Sequence, residues 1–406
     1  MIGSTTQDVF TITVSTFEAA KDVYRQKDLR QGLYDEGPVM SGVLVNLHGD
    51  EHRLRRRVEN RIFRRDTFDH YERELFPAVI ERTVAPYVVA GRVDLVHLGH
   101  ELMLNLAALT AGVDRPTGTA EETARLYEYM QWFIKGATIH HSTEDRAALS
   151  AAIEQALSDW DDEFLSPSIT RRREALAAVA AGDLSEDALP KDVLTTLLRH
   201  HGELELPYEV LRREIAFMLL AAAHTSATAF VRSIDHILGW VSSHPEDMQK
   251  LQVDRLFVQR CVHETVRLNP SSPIGARWAL APLTLKAGVE VPEGARVIID
   301  LQAVNRDPSV FGGSANDFDP YRSLPAGVGP FGLSFATGMH VCIGQDLAAG
   351  VVPRADTDPD RHLFGLVTGA VQHLFTVGVR IDPGNPAQPD TNTARPYWGV
   401  YPALLG

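Results

Sequence analysis

The chain has 406 residues, 44% hydrophobic and 23% charged, a composition that excludes disordered, collagen-like and coiled-coil classes. Its formal net charge of −14 predicts repulsion of nucleic acid and anionic membranes. Two cysteines are too few for a disulfide framework or a four-thiolate zinc site, so the position of each one matters.

Residues 1 to 10 lack the basic start and apolar run of a secretory signal. No stretch reaches the roughly 18 uncharged apolar residues of a membrane span, so a cytoplasmic location is expected. Alternation over Val9 to Val14 predicts a strand, and Ser15 or Thr16 is placed to cap a helix from Phe17 to about Lys27. Amphipathic patterns then predict helices over Glu51–Phe63, Asp66–Ala90, Leu95–Leu109, Glu121–Gly136, Thr143–Phe164 and Ser166–Ala181. A longer, more apolar helix runs from Pro207 to about Trp240, followed by Pro245–Leu251 and Arg255–Leu268. Short alternating runs between Arg277 and Asp300 read as a small β region, Asp307 to Gly338 is rich in Gly and Pro, and Thr376 to Leu405 reads as strands and turns. With no repeat, low-complexity tract or linker, residues 1–406 are expected to form a single domain, mainly α with small β-sheets (an α+β fold).

Cys342 lies in Phe335-Ala-Thr-Gly338-Met-His340-Val-Cys342-Ile-Gly344, between the Gly/Pro-rich segment and an apolar stretch. A loop-to-helix junction supplies backbone N–H groups that stabilise a thiolate, and Gly338 and Gly344 allow close approach of a flat ligand. Taken bare, such a cysteine is a buried core residue, a nucleophile beside His340, or a metal ligand. The ten-residue pattern Phe-x-x-Gly-x-His-x-Cys-x-Gly resembles the haem-binding loop of the haem-thiolate monooxygenases, the cytochrome P450 family, of the bacterial soluble type.

Further motifs follow in that family's order. Glu264-Thr-Val-Arg267, Asn305-Arg-Asp-Pro308 and Phe318-Asp-Pro-Tyr-Arg322 resemble its Glu/Arg/Arg structural triad, here Glu264, Arg267 and Arg322. His52-Arg-Leu-Arg-Arg56 is similar to the His-x-x-x-Arg that binds haem propionates, and Arg277 is similar in place to a second propionate-binding arginine. The resemblance implies haem b (iron protoporphyrin IX) with Cys342 as the metal ligand. The cofactor shell would be His52, Arg56, Arg277, His340, Phe335, Gly338 and Gly344. An axial cysteinate pushes electron density toward iron and favours activation of oxygen over its storage. It also implies a haem domain with no fused reductase or ferredoxin domain. Such an enzyme inserts one atom of O2 into a hydrophobic or aromatic small molecule, with electrons from NAD(P)H through ferredoxin reductase and ferredoxin.

On the long apolar helix, Ala221-Ala-Ala-His224-Thr225-Ser226 resembles the family's oxygen-activating segment, with Ala222 for a glycine and His224 for the acid. The sterol 14α-demethylases also place His-Thr-Ser there. Thr225 would donate a hydrogen bond to bound oxygen and relay protons, with His224 as proton source; a register shift of one residue would make Ser226 the hydroxyl. The plain alternatives are a close-packed core helix, a hydrogen-bonded core histidine and a hydroxyl back-bonded to the carbonyl four residues earlier.

Other features depart from the family. Ala336 replaces a usual glycine, Ala349-Gly350 replaces Arg-Glu, and Val351 to His362 reads as an inserted surface loop whose Asp356, Asp358 and Asp360 only mimic a calcium loop. Arg53, Arg55, Arg56, Arg57, Arg61, Arg64 and Arg65 form a basic face, either merely solvated or docking an acidic ferredoxin. The substrate pocket is expected from Leu33–Val45, Leu219, the aromatics Tyr127, Tyr129, Trp132 and Phe133, the turn Ser272–Ala276 and the turn Trp398–Tyr401; each also reads as plain core. Cys261 reads as core. The alternatives are a haem-thiolate enzyme with peroxide-driven or non-oxygenating chemistry, such as rearrangement or dehydration, and a non-catalytic haem-binding sensor.

Overall fold

A computed structural model describes residues 9–35, 37–137, 139, 145–391 and 397–406. The alternating N-terminal segment forms β1 (Thr11–Val14) and continues into α1 (Phe17–Arg25). Thr16 stands at the N-cap without a side-chain bond; instead the Asp307 carboxylate accepts the Phe17 N–H at 2.9 Å, so a distant loop supplies the cap. β2 (Leu29–Gln31), absent from the sequence pattern, joins a four-stranded sheet in the order β1-β7-β4-β2 with β4 (Ile274–Ala279) and β7 (Arg296–Asp300). β1 runs parallel to β7, and the antiparallel register of β2 on β4 sets Gln31 opposite Arg277. That pairing later places a guanidinium at the wall of a cavity.

The helical stretch begins with α2 (Gly49–Glu59) and α3 (Arg65–His70), passes through a π turn at Tyr71–Leu75 into α4 (Phe76–Ala90), and, after β3 (Arg92–Asp94), continues in α5 (Leu95–Ala111) and α6 (Ala120–Ala137). α7 (Arg146–Trp160) passes through a second π turn at Asp161–Leu165 into α8 (Ser166–Ala181). The expected helix start at Thr143 lies outside the described residues. Two short helices, α9 (Val193–Arg199) and α10 (His201–Leu204), precede the long α11 (Tyr208–Ser243). Then come α12 (Met248–Val253) and α13 (Arg255–Leu268), the hairpin β5 (Leu283–Thr284) with β6 (Glu290–Val291), α14 (Leu301–Val304) and α15 (Pro308–Phe311). α16 (Gln345–Ala349) and α17 (Leu366–Thr376) follow Cys342, and the tail holds β8 (Arg380–Ile381), β9 (Gln388–Pro389), β10 (Trp398–Val400) and β11 (Pro402–Leu404).

α11 organises the interior. Its first half, from Leu211 to Ala223, packs into one apolar cluster with α5 to α9; its second half, from Ala227 to Val241, packs into another with α4, α5, α13 and α17. Gly99 on α5 lets the two helices come close, since a Cβ there would lie 3.1 Å from Phe230 and 3.5 Å from the Ala227 carbonyl. Among the described residues α11 is also the one helix long and apolar enough to cross a membrane, but 67% of that window is buried inside the molecule. Between its two packed halves, Ala221, Ala222, Thr225 and Ser226 border an internal cavity.

Candidate active site

That cavity, of about 330 Å3, lies between α11, α2, β4 and the loop carrying Cys342. The loop approaches it through tight turns. Gly338 has φ 75°, and a Cβ there would collide with the Tyr24 carbonyl oxygen. Ala336 takes φ 57°, the left-handed conformation that a glycine normally supplies. The Cys342 N–H bonds the Phe335 carbonyl at 2.9 Å, closing the turn. The Cys342 side chain is exposed, but onto the cavity rather than the outer surface. Burial pushes the thiol pKa up, while the backbone N–H groups of Gly344 and Gln345, aimed at the sulfur, and Arg56 act in the opposite direction. The helix expected after Cys342 is only the five residues of α16, so these individual N–H groups, rather than a long helix dipole, stabilise the sulfur.

Phe335 lines the same wall and is held edge-on by Phe331, with ring centroids 4.9 Å apart. A Cβ on Gly344 would meet nothing within 4 Å, since that residue borders the cavity. The expected cationic set converges at one end. His52, Arg56, Arg277 and His340 all line the cavity, and the His52 and His340 rings lie 4.3 Å apart. Both nitrogens of His52 and Nε2 of His340 are buried without a hydrogen-bond partner. Burial, then neighbouring cationic groups, lower His52 to about 4 and His340 to about 3. Arg277 donates to Gln31 Oε1 at 2.6 Å and to the Ala276 carbonyl at 2.8 Å, and Arg56 Nε donates to Asn60 Oδ1 at 3.1 Å. Neither forms a salt bridge with a carboxylate among the described residues. Two guanidiniums and two histidines facing one cavity end without an acid make a receptor for carboxylates.

Behind this wall the triad is assembled. Arg267 donates to both oxygens of Glu264 at 2.7 Å, and Arg322 Nε donates to Glu264 Oε1 at 3.0 Å. Arg267 also holds the carbonyls of Asn305 and Ala315. The Asn305 side chain in turn accepts from Leu333 N–H and donates to Ser334, fixing the start of the cysteine loop.

On α11, Thr225 and Ser226 line the cavity with Ala221, Ala222 and Ala229. Thr225 Oγ1 donates to the Ala221 carbonyl at 2.6 Å, the back-bonded arrangement. His224 does not share that wall: its ring stacks on His100 at 6.0 Å and meets Tyr397 edge-on at 5.9 Å. The 100° step between successive helical residues turns His224 to the side of His100 and Tyr397, so a role as proton source would reach Thr225 from that side.

The pocket expectation is also revised. Leu33, Tyr34, Leu44, Val45, Ser272 and Ile274 do line the cavity. Leu219, Tyr129 and Phe133 are instead core, with Tyr129 bonded to Glu163, and Trp398 packs on Tyr401. Phe63, Phe217 and Met218 supply apolar lining that the pattern did not single out; the 3.6-residue period does reveal 218, 222 and 225 as one face. The basic face is smaller than its arginine count. Arg55 is buried against Glu214 at 2.8 Å, Arg57 and Arg61 reach Glu203, Arg53 pairs with Asp50, and Arg65 donates to the Arg361 carbonyl. Cys261 is buried in the core, as expected.

The "Cytochrome P450" family model matches residues 153–350. Pulcherriminic acid synthase from Bacillus subtilis (strain 168) is 28% identical over 324 residues, covering 77% of this chain and 72% of that protein. The crystal structure of CalO2 superposes with a TM-score of 0.73 at 18% identity, covering 97% of this chain and 90% of the other. The versatile cytochrome P450 enzyme CYP109B1 from Bacillus subtilis gives 0.68 at 17% identity, covering 97% and 93%. Together these matches support a bacterial cytochrome P450. The chain is a haem-thiolate oxidoreductase whose cofactor is haem b. The cavity suits that group on its own chemistry: a sulfur with two N–H groups aimed at it on one wall, an alanine-rich helix on another, and an acid-free cationic end with orphaned histidine nitrogens.

Proposed function

We propose that the chain is a monooxygenase inserting one oxygen atom from O2 into a hydrophobic or aromatic small molecule. The observation that supports it best is one cavity bordered by Cys342, the cationic set and Thr225-Ser226 of α11. Bound haem supplies oxygen activation at a thiolate-ligated iron. In this reading Cys342 would hold the haem iron through its sulfur, and His52, Arg56, Arg277 and His340 would hold the propionates. Thr225 Oγ1, its proton directed to the Ala221 carbonyl, keeps its lone pairs available to pass a proton toward the oxygen side; Ser226 offers a second hydroxyl. Leu33, Leu44, Val45, Phe217, Met218 and Ile274 exclude water and favour an apolar substrate. Electrons are proposed to come from NAD(P)H through a ferredoxin and its reductase, in the cytoplasm.

The carbon monoxide complex of the reduced protein should show the red-shifted Soret band of thiolate ligation, and Cys342→Ala should lose it. Turnover with ferredoxin, reductase, NAD(P)H and 18O2 should label the product; an unlabelled product would sink monooxygenation. A second reading, peroxide-driven or non-oxygenating chemistry, is favoured by one fact: no carboxylate lines the cavity among the described residues. Peroxide supporting faster turnover than the reductase chain would select it.

A further inference from the structure

α2 and α11 bury two carboxylates that the proposed chemistry does not use. Glu59 is 0% exposed and neither of its oxygens has a hydrogen-bond partner. Glu214 is also 0% exposed; its Oε2 accepts from Arg55 at 2.8 Å and from the Leu44 N–H at 2.9 Å, while its Oε1 has no partner. The charged groups facing Glu59 are Glu214, Arg55 and Arg56. Arg56 gives its Nε to Asn60 and borders the cavity. On the neighbouring α9, Asp192 is engaged with Arg172 and Arg199 with Glu186, and the turn Leu44–Asn46 brings no charge.

With both acids ionised Arg55 and Arg56 match the charge, but no hydrogen bond reaches Glu59. Arg55 satisfies Glu214, leaving Glu59 as a carboxylate without a hydrogen-bond partner in the interior, an arrangement proteins avoid by protonation. Arg55 and Glu59 lie one turn apart on α2, which sets Glu59 beside the Glu214 that Arg55 holds; one proton between the acids gives Glu214 Oε1 and one Glu59 oxygen a partner.

We propose that Glu59 and Glu214 share one proton, and that this proton latches the Leu44–Asn46 turn, and so the cavity wall at Leu44 and Val45, onto α2 and α11. Glu214 is the centre of the latch, since it holds the turn through the Leu44 N–H and α2 through Arg55. Loss of the proton leaves two buried anions side by side, only Glu214 being hydrogen-bonded to a guanidinium. The local escape is hydration of Glu214, which gives up the Leu44 N–H and frees the turn. Burial and mutual repulsion hold Glu59 well above the ordinary carboxylate range, and burial pushes Glu214 up to about 7, so release falls at or above neutrality. The latch is independent of what the cavity binds; only its consequence, a wider substrate side at alkaline pH, rests on the function proposed above.

Hydrogen exchange of the full chain, corrected for intrinsic rates between about pH 6 and about pH 9, tests it at the Leu44 amide. One released proton dictates that protection falls by about tenfold per pH unit above the transition. In Glu59→Gln the amide donates permanently to Glu214, and the fall should vanish. Protection that is independent of pH in the wild type, or a variant with the wild-type slope, overturns the latch. Should that variant not fold, infrared spectroscopy of the wild type decides: a protonated-carboxyl band must be present at neutral pH and bleach on alkalinisation, and its absence at neutral pH overturns the proposal. A missing thiolate Soret band, by contrast, overturns the haem reading and leaves the exchange result standing.

Discussion

Ala336 and Gly338 sit two residues apart in the cysteine loop, at φ 57° and 75°, yet their substitutions should act in opposite directions. Alanine in the left-handed region costs about 1 kcal/mol, so Ala336→Gly should stabilise the protein by about that amount in denaturant titration. Gly338→Ala adds the same strain plus a collision with the Tyr24 carbonyl, and should cost about 1–3 kcal/mol and lower the haem content of purified protein. At α11, Thr225 faces the cavity and His224 does not. Thr225→Ala should therefore divert more NAD(P)H electrons into released peroxide than His224→Gln does; an equal or reversed ranking would move the proton route to His100 and Tyr397.

The elements that surround the cysteine depend on contacts made across the chain. α16 and α17 are separated by the loop beginning at Gly350, and the two ends of that loop cross at Gly350 and Gly365, both left-handed, with φ 77° and 83°. A Cβ on either would strike the other's strand of backbone. Glu72, on the π turn between α3 and α4, accepts from the N–H groups of Phe364 and Gly365, each at 2.9 Å, and so caps α17 from outside. Gln259 and His263 of α13 hold the other end through the Ala349 carbonyl. Glu72→Gln keeps one acceptor and loses the charge, and should cost about 1–2 kcal/mol, read by thermal or denaturant unfolding. Glu264→Gln breaks a buried pair that serves two arginines and should cost about 3–5 kcal/mol by the same measurement.

At the scale of the whole molecule, pH and salt should act through different residues. Glu59 and Glu214 have folded-state pKa values above the ordinary 4.5, so the folded state binds protons that the unfolded state releases. Their contribution to stability is fully present below about pH 4.5 and is lost as pH rises through the folded-state values, by about 1.4 kcal/mol per unit for the one proton they share. Glu59→Gln should flatten that fall and raise the unfolding midpoint at pH 8 relative to the wild type, with the two converging in mild acid. Salt should matter less than the arginine count suggests, because Arg55 is buried and Arg53, Arg57 and Arg61 already face Asp50 and Glu203. If an acidic ferredoxin docks there, raising ionic strength still slows reduction; a rate unchanged by salt removes that surface from the electron route.

Much of this was legible in local pattern. The 3.6-residue period marked α4, α5, α8, α11 and α13, and fixed residue types at fixed spacing marked the cysteine loop, the Glu264–Arg267 pair and the His52–Arg56 pair, because those groups act within a turn or two of chain. α17 was equally legible, since Leu366, Val367, Ala370, Val371, Leu374 and Phe375 follow the helical period, whereas β2 was not, because a three-residue strand exists only by pairing with β4. The side to which each residue of 224 to 226 turns, the pairing of the arginines and the burial of Glu59 against Glu214 depend on packing between segments more than a hundred residues apart. The sequence by itself determined the helical frame and marked Cys342, His52, Arg56, Arg277 and His340 as a set. Only the tertiary structure decided which side chains meet at the cavity and which charges lie buried together, since burial and partner distance are properties of the packed chain.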